Sequence, residues 1–111
     1  MKTLTYCIDI DNTICTTKNL NYADSAPIRS RIEKINELYD QGHTIKYFTA
    51  RGMGRSNDNV NNAYASQFCL TQKQLDDWGC KYHNLILGKP SADYYLDDKA
   101  LKLEDVFNEN S

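Results

Sequence analysis

Two carboxylates separated by one residue, Asp9 and Asp11, follow directly after an apolar stretch near the start of the chain. The preceding residues 4–8 (LTYCI) are apolar or strand-favouring, which predicts a buried strand that ends at Asp9. If the backbone stays extended, both acids point to the same face. At ~4 Å and an effective dielectric near 20, two like charges repel by about 4 kcal/mol, which a cation or a proton on one carboxyl relieves. The pair therefore indicates a functional site.

Strand-like and helix-like segments alternate along the rest of the chain, which is typical of an α/β sheet. Residues 12–26 are mostly polar and are predicted to be an excursion without packed structure. Pro27 is expected to open a helix with a stripe of isoleucines, and Gly42 is expected to close it. Residues 44–49 follow as a second strand, and the short connection favours a parallel crossover.

The second half of the chain continues this alternation. Thr71 and Gln74 are spaced as a capping box, which predicts that a short helix begins there and ends near Gly79. Val60, Tyr64 and Phe68 are expected to face inward from the helix before it. The remaining predicted elements are helices at residues 57–70 and 103–107 and strands at residues 83–87 and 92–96.

A length of 111 residues suits one modest hydrophobic core. We therefore predict a single domain over residues 1–111, with a three-layer, Rossmann-like parallel sheet flanked by helices. Neither residues 12–27 nor residues 50–89 leave room for a folded cap domain once the core helices are counted. The site is expected to be open, so it either accepts bulky substrates or is covered by a second subunit of a homo-oligomer.

The composition excludes several classes of function. The formal net charge is -2 and the basic residues are scattered, so no nucleic-acid surface is expected. No apolar stretch approaches the ~18 residues of a membrane span, and no signal peptide is recognisable, so a cytoplasmic protein is expected. The four cysteines, at positions 7, 15, 69 and 80, contain no Cys-x-x-Cys pair and are expected to be reduced and mostly structural.

Residues that carry chemistry recur at the ends of the predicted strands. In a parallel sheet these ends share one edge, so residues that are distant in sequence can form one site. Taken singly, Thr49 could cap a strand end and Lys89 could be a solvated loop lysine. Asp97 and Asp98 could cap the N-terminus of a helix. Their shared placement favours a common site. The set is Asp9, Asp11, Thr49, Lys89, Asp97 and Asp98.

The loop at residues 50–56 contains glycines and two arginines, Arg51 and Arg55, and is predicted to be mobile. Two guanidinium groups in such a loop suit an anion, although solvated arginines in a flexible connection are an equally ordinary explanation. Together with Lys18 and Tyr22, these arginines are candidates for contacts with the part of a substrate that leaves during the reaction.

Four segments, in order, match the motifs of the haloacid dehalogenase-like (HAD) superfamily, which the chain resembles over nearly its whole length. Within that superfamily it is most similar to small phosphatases associated with capsular or surface polysaccharide biosynthesis, through YFTARG at 47–52 and LGKP at 87–90. The four motifs are DIDNT at 9–13, YFT at 47–49, KP at 89–90 and YLDD at 95–98.

The resemblance implies a phosphatase that works through an aspartyl-phosphate on a small phosphorylated substrate. Asp9 would be the nucleophile, which suits a group that is ionised near pH 7. Asp11 would be the general acid and base, and this role requires neighbouring carboxylates to raise its pKa above about 3.9. Thr49 and Lys89 would bind the phosphoryl group, and Thr13 would orient the first motif.

The resemblance also implies Mg²⁺ as the cofactor. A hard cation would reduce the repulsion between Asp9 and the phosphate, with Asp11 contributing its backbone carbonyl. Asp97 would be a further ligand, and Asp98 would bind directly, through water or in support of Asp97.

Two other classes of function stay open. A receiver-like phosphoacceptor domain also combines acids, a threonine and a Lys-Pro pair on a parallel sheet, although it places its acids in a different order. A non-catalytic binding protein with the same fold is the second alternative, and the joint presence of Asp9, Asp11, Thr49, Lys89 and Asp97 argues against it.

Overall fold

The protein is represented by a computed structural model that describes residues 2–54 and 57–109. Its described elements form a mixed α/β domain in which helices flank a parallel three-stranded sheet. A 3₁₀ turn at Tyr22–Asp24 precedes the third strand. In chain order the elements are β1 (Thr5–Ile8), β2 (Cys15–Thr16), β3 (Ala26–Pro27), α1 (Arg29–Asp40), β4 (Thr44–Thr49), α2 (Val60–Asp77), β5 (Asn84–Leu87) and α3 (Leu103–Phe107).

The main sheet has the strand order β1-β4-β5, and both neighbouring pairs are parallel. Ile8 at the end of β1 pairs with Tyr47, and Thr49 at the end of β4 pairs with Leu87. The three strands therefore finish at the same edge of the sheet. The loops that follow them, which begin at Asp9, Ala50 and Gly88, start close together.

The core contains alternate side chains of β4 and one face of α1. Along β4, Ile45, Tyr47 and Thr49 are buried, which is the two-residue period of a strand with one face covered. On α1, Ile32 and Ile35 are each 1% exposed. Burial of one such aliphatic side chain contributes about 1.5–3 kcal/mol. The predicted second strand and the isoleucine stripe of the first helix are confirmed.

The prediction that residues 12–26 lack packed structure is wrong. Cys15–Thr16 and Ala26–Pro27 form an antiparallel pair, and Ile14 and Cys15 have no exposed surface. The backbone N–H of Ile28 donates to the carbonyl of Ile14 at 2.8 Å. Because this bond continues the β pairing, Pro27 belongs to β3, and α1 begins two residues later than predicted.

Residues 60–77 form one continuous helix, so the capping box predicted at Thr71 is wrong. The N-terminus of α2 is capped instead by Asn59, whose side-chain oxygen accepts a hydrogen bond from the Asn62 N–H at 3.1 Å. Thr71 and Gln74 lie in the helix interior and are buried. The predicted end of the helix near Gly79 is confirmed, since Trp78 is the C-terminal cap.

The face of α2 that packs inward also differs from the prediction. Val60 and Tyr64 are 44% and 38% exposed, whereas Ala63 and Leu75 have no exposed surface. The buried positions of α2 include polar residues as well as apolar ones. The spacing of its apolar residues therefore does not define which face packs inward.

The predicted fourth strand at residues 92–96 does not form in the described structure, where Tyr94 is 85% and Leu96 96% exposed. Tyr95 makes local contacts instead: its hydroxyl donates to the carbonyl of Pro90, and its ring lies under Lys89. In the part of the chain that the structure describes, this segment is not paired with the sheet. The last predicted helix is confirmed as α3.

No helix in the described ranges is long and apolar enough to cross a membrane.

Candidate active site

A cavity of about 440 Å³ lies at the edge of the sheet where the three parallel strands finish. Each strand contributes a charged residue to its wall: Asp9 and Asp11 follow β1, Arg51 follows β4, and Lys89 follows β5. The segment between β2 and β3 also contributes to the cavity wall, through residues that include Tyr22. Four of the predicted site residues are thus brought together by the parallel topology.

Asp9 lies in a partly buried position beside one cation. Its Oδ1 is 3.5 Å from Nζ of Lys89, and its Oδ2 accepts a hydrogen bond from the Thr13 hydroxyl at 3.3 Å. Burial raises the pKa of the Asp9 carboxyl; Lys89 and the backbone N–H of Ile10 oppose this rise, and the nearby charge of Asp11 adds to it. The cationic partner therefore does not fully compensate the loss of water around Asp9.

The loop after Asp9 is held in a tight turn. The backbone N–H groups of Thr13 and Ile14 both donate to the carbonyl of Ile10, at 3.1 and 3.0 Å. Asn12 has a φ of 63°, a left-handed conformation that asparagine adopts more readily than most residues. From α1, Nη1 of Arg31 donates to the Thr13 carbonyl at 2.9 Å. These bonds keep Asp9 and Asp11 on the cavity wall.

Asp11 is paired with a buried arginine. Nε of Arg51 lies 3.2 and 3.0 Å from the two carboxylate oxygens, and Nη2 lies 2.9 Å from Oδ1. The Thr17 hydroxyl also donates to Oδ1, at 2.6 Å. The Asp11 side chain keeps 20% of its surface exposed, whereas that of Arg51 keeps none. Charge-assisted bonds from a planar fork hold the carboxylate in one orientation.

The rest of the Arg51 guanidinium is bonded to α2. Its Nη1 donates to Oγ1 of Thr71 at 3.2 Å and to Oε1 of Gln74 at 2.6 Å. Its Nη2 also reaches Oγ of Ser25 at 3.3 Å, and its Cζ lies 4.8 Å from the centroid of the Tyr22 ring. Removal of one partner from such a buried pair costs about 3–5 kcal/mol. Arg51 is therefore not a solvated arginine in a flexible connection, which was the alternative explanation for this loop.

Thr49, at the end of β4, is bonded to the loops that begin at Ala50 and Gly88. It is 1% exposed, and among the described residues it does not form part of the cavity wall. Its hydroxyl oxygen accepts a hydrogen bond from the Arg51 N–H at 3.1 Å, and its carbonyl accepts one from the Lys89 N–H at 3.2 Å. Thr49 therefore links the loops that carry the two cations.

Lys89 is positioned by two contacts and by the residue before it. Its Nζ lies 4.2 Å from the centroid of the Tyr95 ring and 3.5 Å from Oδ1 of Asp9. The preceding residue, Gly88, has a φ of 100°, and a Cβ there would lie 3.2 Å from a methyl group of Val60. Both features favour glycine at the turn that directs Lys89 into the cavity.

The structure does not bring all the predicted site residues together. Lys18, Asp97 and Asp98 are exposed and lie outside the cavity wall, and Arg55 lies outside the described residues. Within residues 2–54 and 57–109, no group of three or more His, Cys, Asp or Glu side chains is arranged to hold a metal ion.

The fit of Mg²⁺ to this site rests on Asp9. A partly buried carboxylate with incomplete charge compensation is a suitable oxygen ligand, and Mg²⁺ often uses only one or two carboxylates together with phosphate and water. The Asp11 side chain fits less well because its oxygens are bonded to Arg51.

Several site residues were missed by the sequence analysis. Thr17 and Ser25 join the Asp11–Arg51 pair from the segment predicted to be unstructured, and Thr71 and Gln74 join it from α2. The spacing of the last two, three residues apart, was itself a signal that they share a helix face.

Comparison with known proteins establishes the fold. No family model matches the sequence, and no curated protein matches it. The chain is similar to the crystal structure of an MCSG target protein from Vibrio cholerae, with a TM-score of 0.88 and 24% sequence identity. The match covers 97% of this chain and 90% of that one. The chain therefore shares the mixed α/β fold of the Vibrio cholerae protein.

Proposed function

We propose that the protein is a phosphatase, a Mg²⁺-dependent phosphomonoester hydrolase of the HAD type. Its substrate would be a sugar phosphate or another small phosphorylated precursor of surface polysaccharide. The observation that supports this most directly is the placement of Asp9 on a cavity wall with Lys89 at 3.5 Å. A carboxylate nucleophile beside a fixed cation is the pairing that attack on an anionic phosphoryl group needs.

In the first step, a carboxylate oxygen of Asp9 attacks phosphorus, and the bond between phosphorus and the leaving oxygen breaks. The leaving oxygen takes the bonding electron pair and receives a proton from the Asp11 carboxyl. Because Arg51 pairs with the ionised form of Asp11 in the free protein, Asp11 first takes up this proton from water. In the second step, water attacks the aspartyl-phosphate and gives its proton to Asp11. The bond between phosphorus and the Asp9 oxygen breaks, so phosphate is released and both side chains return to their starting states.

The surrounding residues have positioning roles in this proposal. Lys89 reduces the repulsion between Asp9 and the phosphoryl group, and the Arg51 fork keeps Asp11 in one orientation toward the cavity. Thr49 joins the two loops that carry these cations. When bound, Mg²⁺ would supply positive charge at the phosphoryl oxygens, with Asp9 as its principal ligand among the described residues.

The experiment is a hydrolysis assay on sugar phosphates, small alkyl phosphates and an aryl phosphate, with Mg²⁺ or with EDTA. Turnover is expected only with Mg²⁺, and Asp9→Asn is expected to abolish it. Glu33→Gln, which alters an exposed carboxylate on α1, is the matched control and should retain full activity.

Acid-quenched samples separate the alternatives. A phosphatase should show a transient phosphoryl adduct on Asp9 together with release of phosphate. A long-lived adduct without turnover would favour a receiver-like domain, and neither adduct nor turnover on any ester would favour a binding protein. Full activity in Asp9→Asn would contradict the proposed nucleophile.

A further inference from the structure

One side chain of α2 is bonded to two residues that line the cavity, Arg51 and Tyr22. Oε1 of Gln74 accepts a hydrogen bond from Arg51 at 2.6 Å, and Nε2 of the same amide donates to the carbonyl of Tyr22 at 2.6 Å. Gln74 is 9% exposed. An amide is suited to this position because it presents an acceptor to the guanidinium and a donor to the carbonyl at the same time.

Tyr22 is consequently fixed at both its backbone and its ring. The backbone carbonyl is bonded to Gln74, and the ring lies against the guanidinium of Arg51, with 4.8 Å between Cζ and the ring centroid. Arg51 has no exposed side-chain surface, so it gives the ring a rigid support. Tyr22 is half-buried and lines the cavity.

The position of this ring relative to the reacting groups suggests its role. Asp11, the carboxylate that would serve the leaving group, is bonded to the same guanidinium that supports Tyr22, and both residues line the cavity. Aromatic faces bind ring-shaped ligands by stacking, and a ring that is already immobilised loses little conformational entropy on binding.

We propose that Tyr22 is a specificity-determining residue, held by Gln74 and Arg51 as a platform for a ring-bearing leaving group. This inference rests on the proposed phosphatase function and narrows its substrates to phosphate esters of cyclic compounds, such as a sugar in its ring form. Gln74 is a positioning residue that acts through Tyr22 and Arg51.

The test compares two phosphate esters that differ in the ring alone: a hexopyranose phosphate and the corresponding open-chain hexitol phosphate. The native protein is expected to show a higher kcat/KM for the cyclic ester. Tyr22→Leu should lower kcat/KM for the cyclic ester by roughly 3- to 10-fold more than kcat/KM for the hexitol ester, which corresponds to loss of one aromatic contact. Tyr22→Phe retains the ring and should preserve the preference.

Two substitutions on α2 separate positioning from general damage. Gln74→Leu removes the donor to Tyr22 and should reduce the ratio between the cyclic and open-chain esters. Thr71→Val removes a contact to Arg51 alone and should leave that ratio unchanged. Circular dichroism and thermal melts confirm that each variant is folded.

The outcomes are distinguishable from a failure of the proposed function. Equal kcat/KM for the two esters in the native protein, or an equal loss for both in Tyr22→Leu, would overturn the role of Tyr22 while phosphatase activity stands. Hydrolysis of other phosphomonoesters but of neither hexose derivative would overturn it as well. If no phosphomonoester is hydrolysed, the proposed function fails, and the inference fails with it.

Discussion

Asp9 and Asp11 are identical residues two positions apart, yet their electrostatic environments are opposite. Asp9 is partly buried with one cation at 3.5 Å, and burial raises the pKa of its carboxyl. Asp11 accepts several charge-assisted hydrogen bonds from Arg51. The charge on Asp9 therefore reduces stability, whereas the charge on Asp11 compensates that of a buried guanidinium.

We predict opposite stability effects for two isosteric substitutions. Asp9→Asn should raise Tm in EDTA at neutral pH, because the native carboxyl has a pKa above its unfolded value and its ionised form is disfavoured by folding. This gain should disappear as the pH falls below the unfolded pKa, where both states are protonated. Asp11→Asn should lower the free energy of unfolding by about 3 kcal/mol because it leaves Arg51 unpaired. Thermal melts measure the Tm of Asp9→Asn, and urea melts measure the free energy of unfolding of Asp11→Asn. A lower Tm for Asp9→Asn would contradict the prediction.

The cysteines provide a second prediction at this scale. Cys7 and Cys69 are exposed, whereas burial raises the pKa of Cys15 and raises that of Cys80 to about 11. Because the thiolate is the reactive form, iodoacetamide at neutral pH should modify the first two rapidly and the other two slowly. Peptide mass spectrometry over time measures the rates, and denatured protein, in which all four should react, is the control. Early modification of Cys80 would show that its site is more open than described.

At the scale of elements, the decisive contact is between the loop after β4 and helix α2. Gly52 has a φ of 81°, and a Cβ at this position would lie 2.9 Å from the Cα of Ala63. Only glycine permits this close approach. The approach places Arg51, the preceding residue, within reach of Thr71 and Gln74.

Gly52→Ala should therefore lower the free energy of unfolding by more than about 1 kcal/mol, since it combines an unfavourable φ with a clash against helix backbone. Gly54→Ala is the matched control: among the described residues, a Cβ there would meet only Oγ of Ser91, at 3.6 Å, an ordinary contact. Urea denaturation compares the two variants. Equal stability of both would show that the loop can move away from α2 at little cost.

At the scale of the whole molecule, Arg31 connects the two ends of the chain. It donates to the Thr13 carbonyl at 2.9 Å, lies 5.1 Å from the centroid of the Phe107 ring on α3, and pairs with Glu109 at 2.7 Å. The hydrogen bond from Arg31 lowers the pKa of the Glu109 carboxyl. The C-terminal segment is thus attached to the loop that carries the first motif.

A pH dependence follows from this attachment. A lowered pKa means that Glu109 stabilises the fold above its unfolded pKa, and that this contribution is lost as the pH falls through the lowered value. Glu109→Gln should lower Tm slightly at pH 7, and the difference from the native protein should vanish at acidic pH. High salt should also reduce the difference, because the pair is exposed. Glu33→Gln, which alters an exposed carboxylate on α1, is the matched control.

The sequence alone was sufficient to predict that Asp9, Asp11 and Lys89 follow parallel strands and lie together at one edge of the sheet. Strand alternation at residues 44–49 and the isoleucine spacing of α1 are local signals, and parallel topology then places the strand ends together. The sequence did not predict the pairing of β2 with β3, because two-residue strands carry almost no periodic signal. It also predicted a fourth strand at residues 92–96, where Tyr95 makes local contacts instead.

What the sequence by itself determined is therefore the α/β character of the chain and the set of charged residues at the ends of its parallel strands. The tertiary structure decided how those charges are paired. Arg51 is an ordinary loop arginine in the sequence, and it becomes the centre of the site because partners 20, 23 and 40 residues away surround it. Burial of a charge depends on how many donors and acceptors the fold assembles around it, and that information is absent from local patterns.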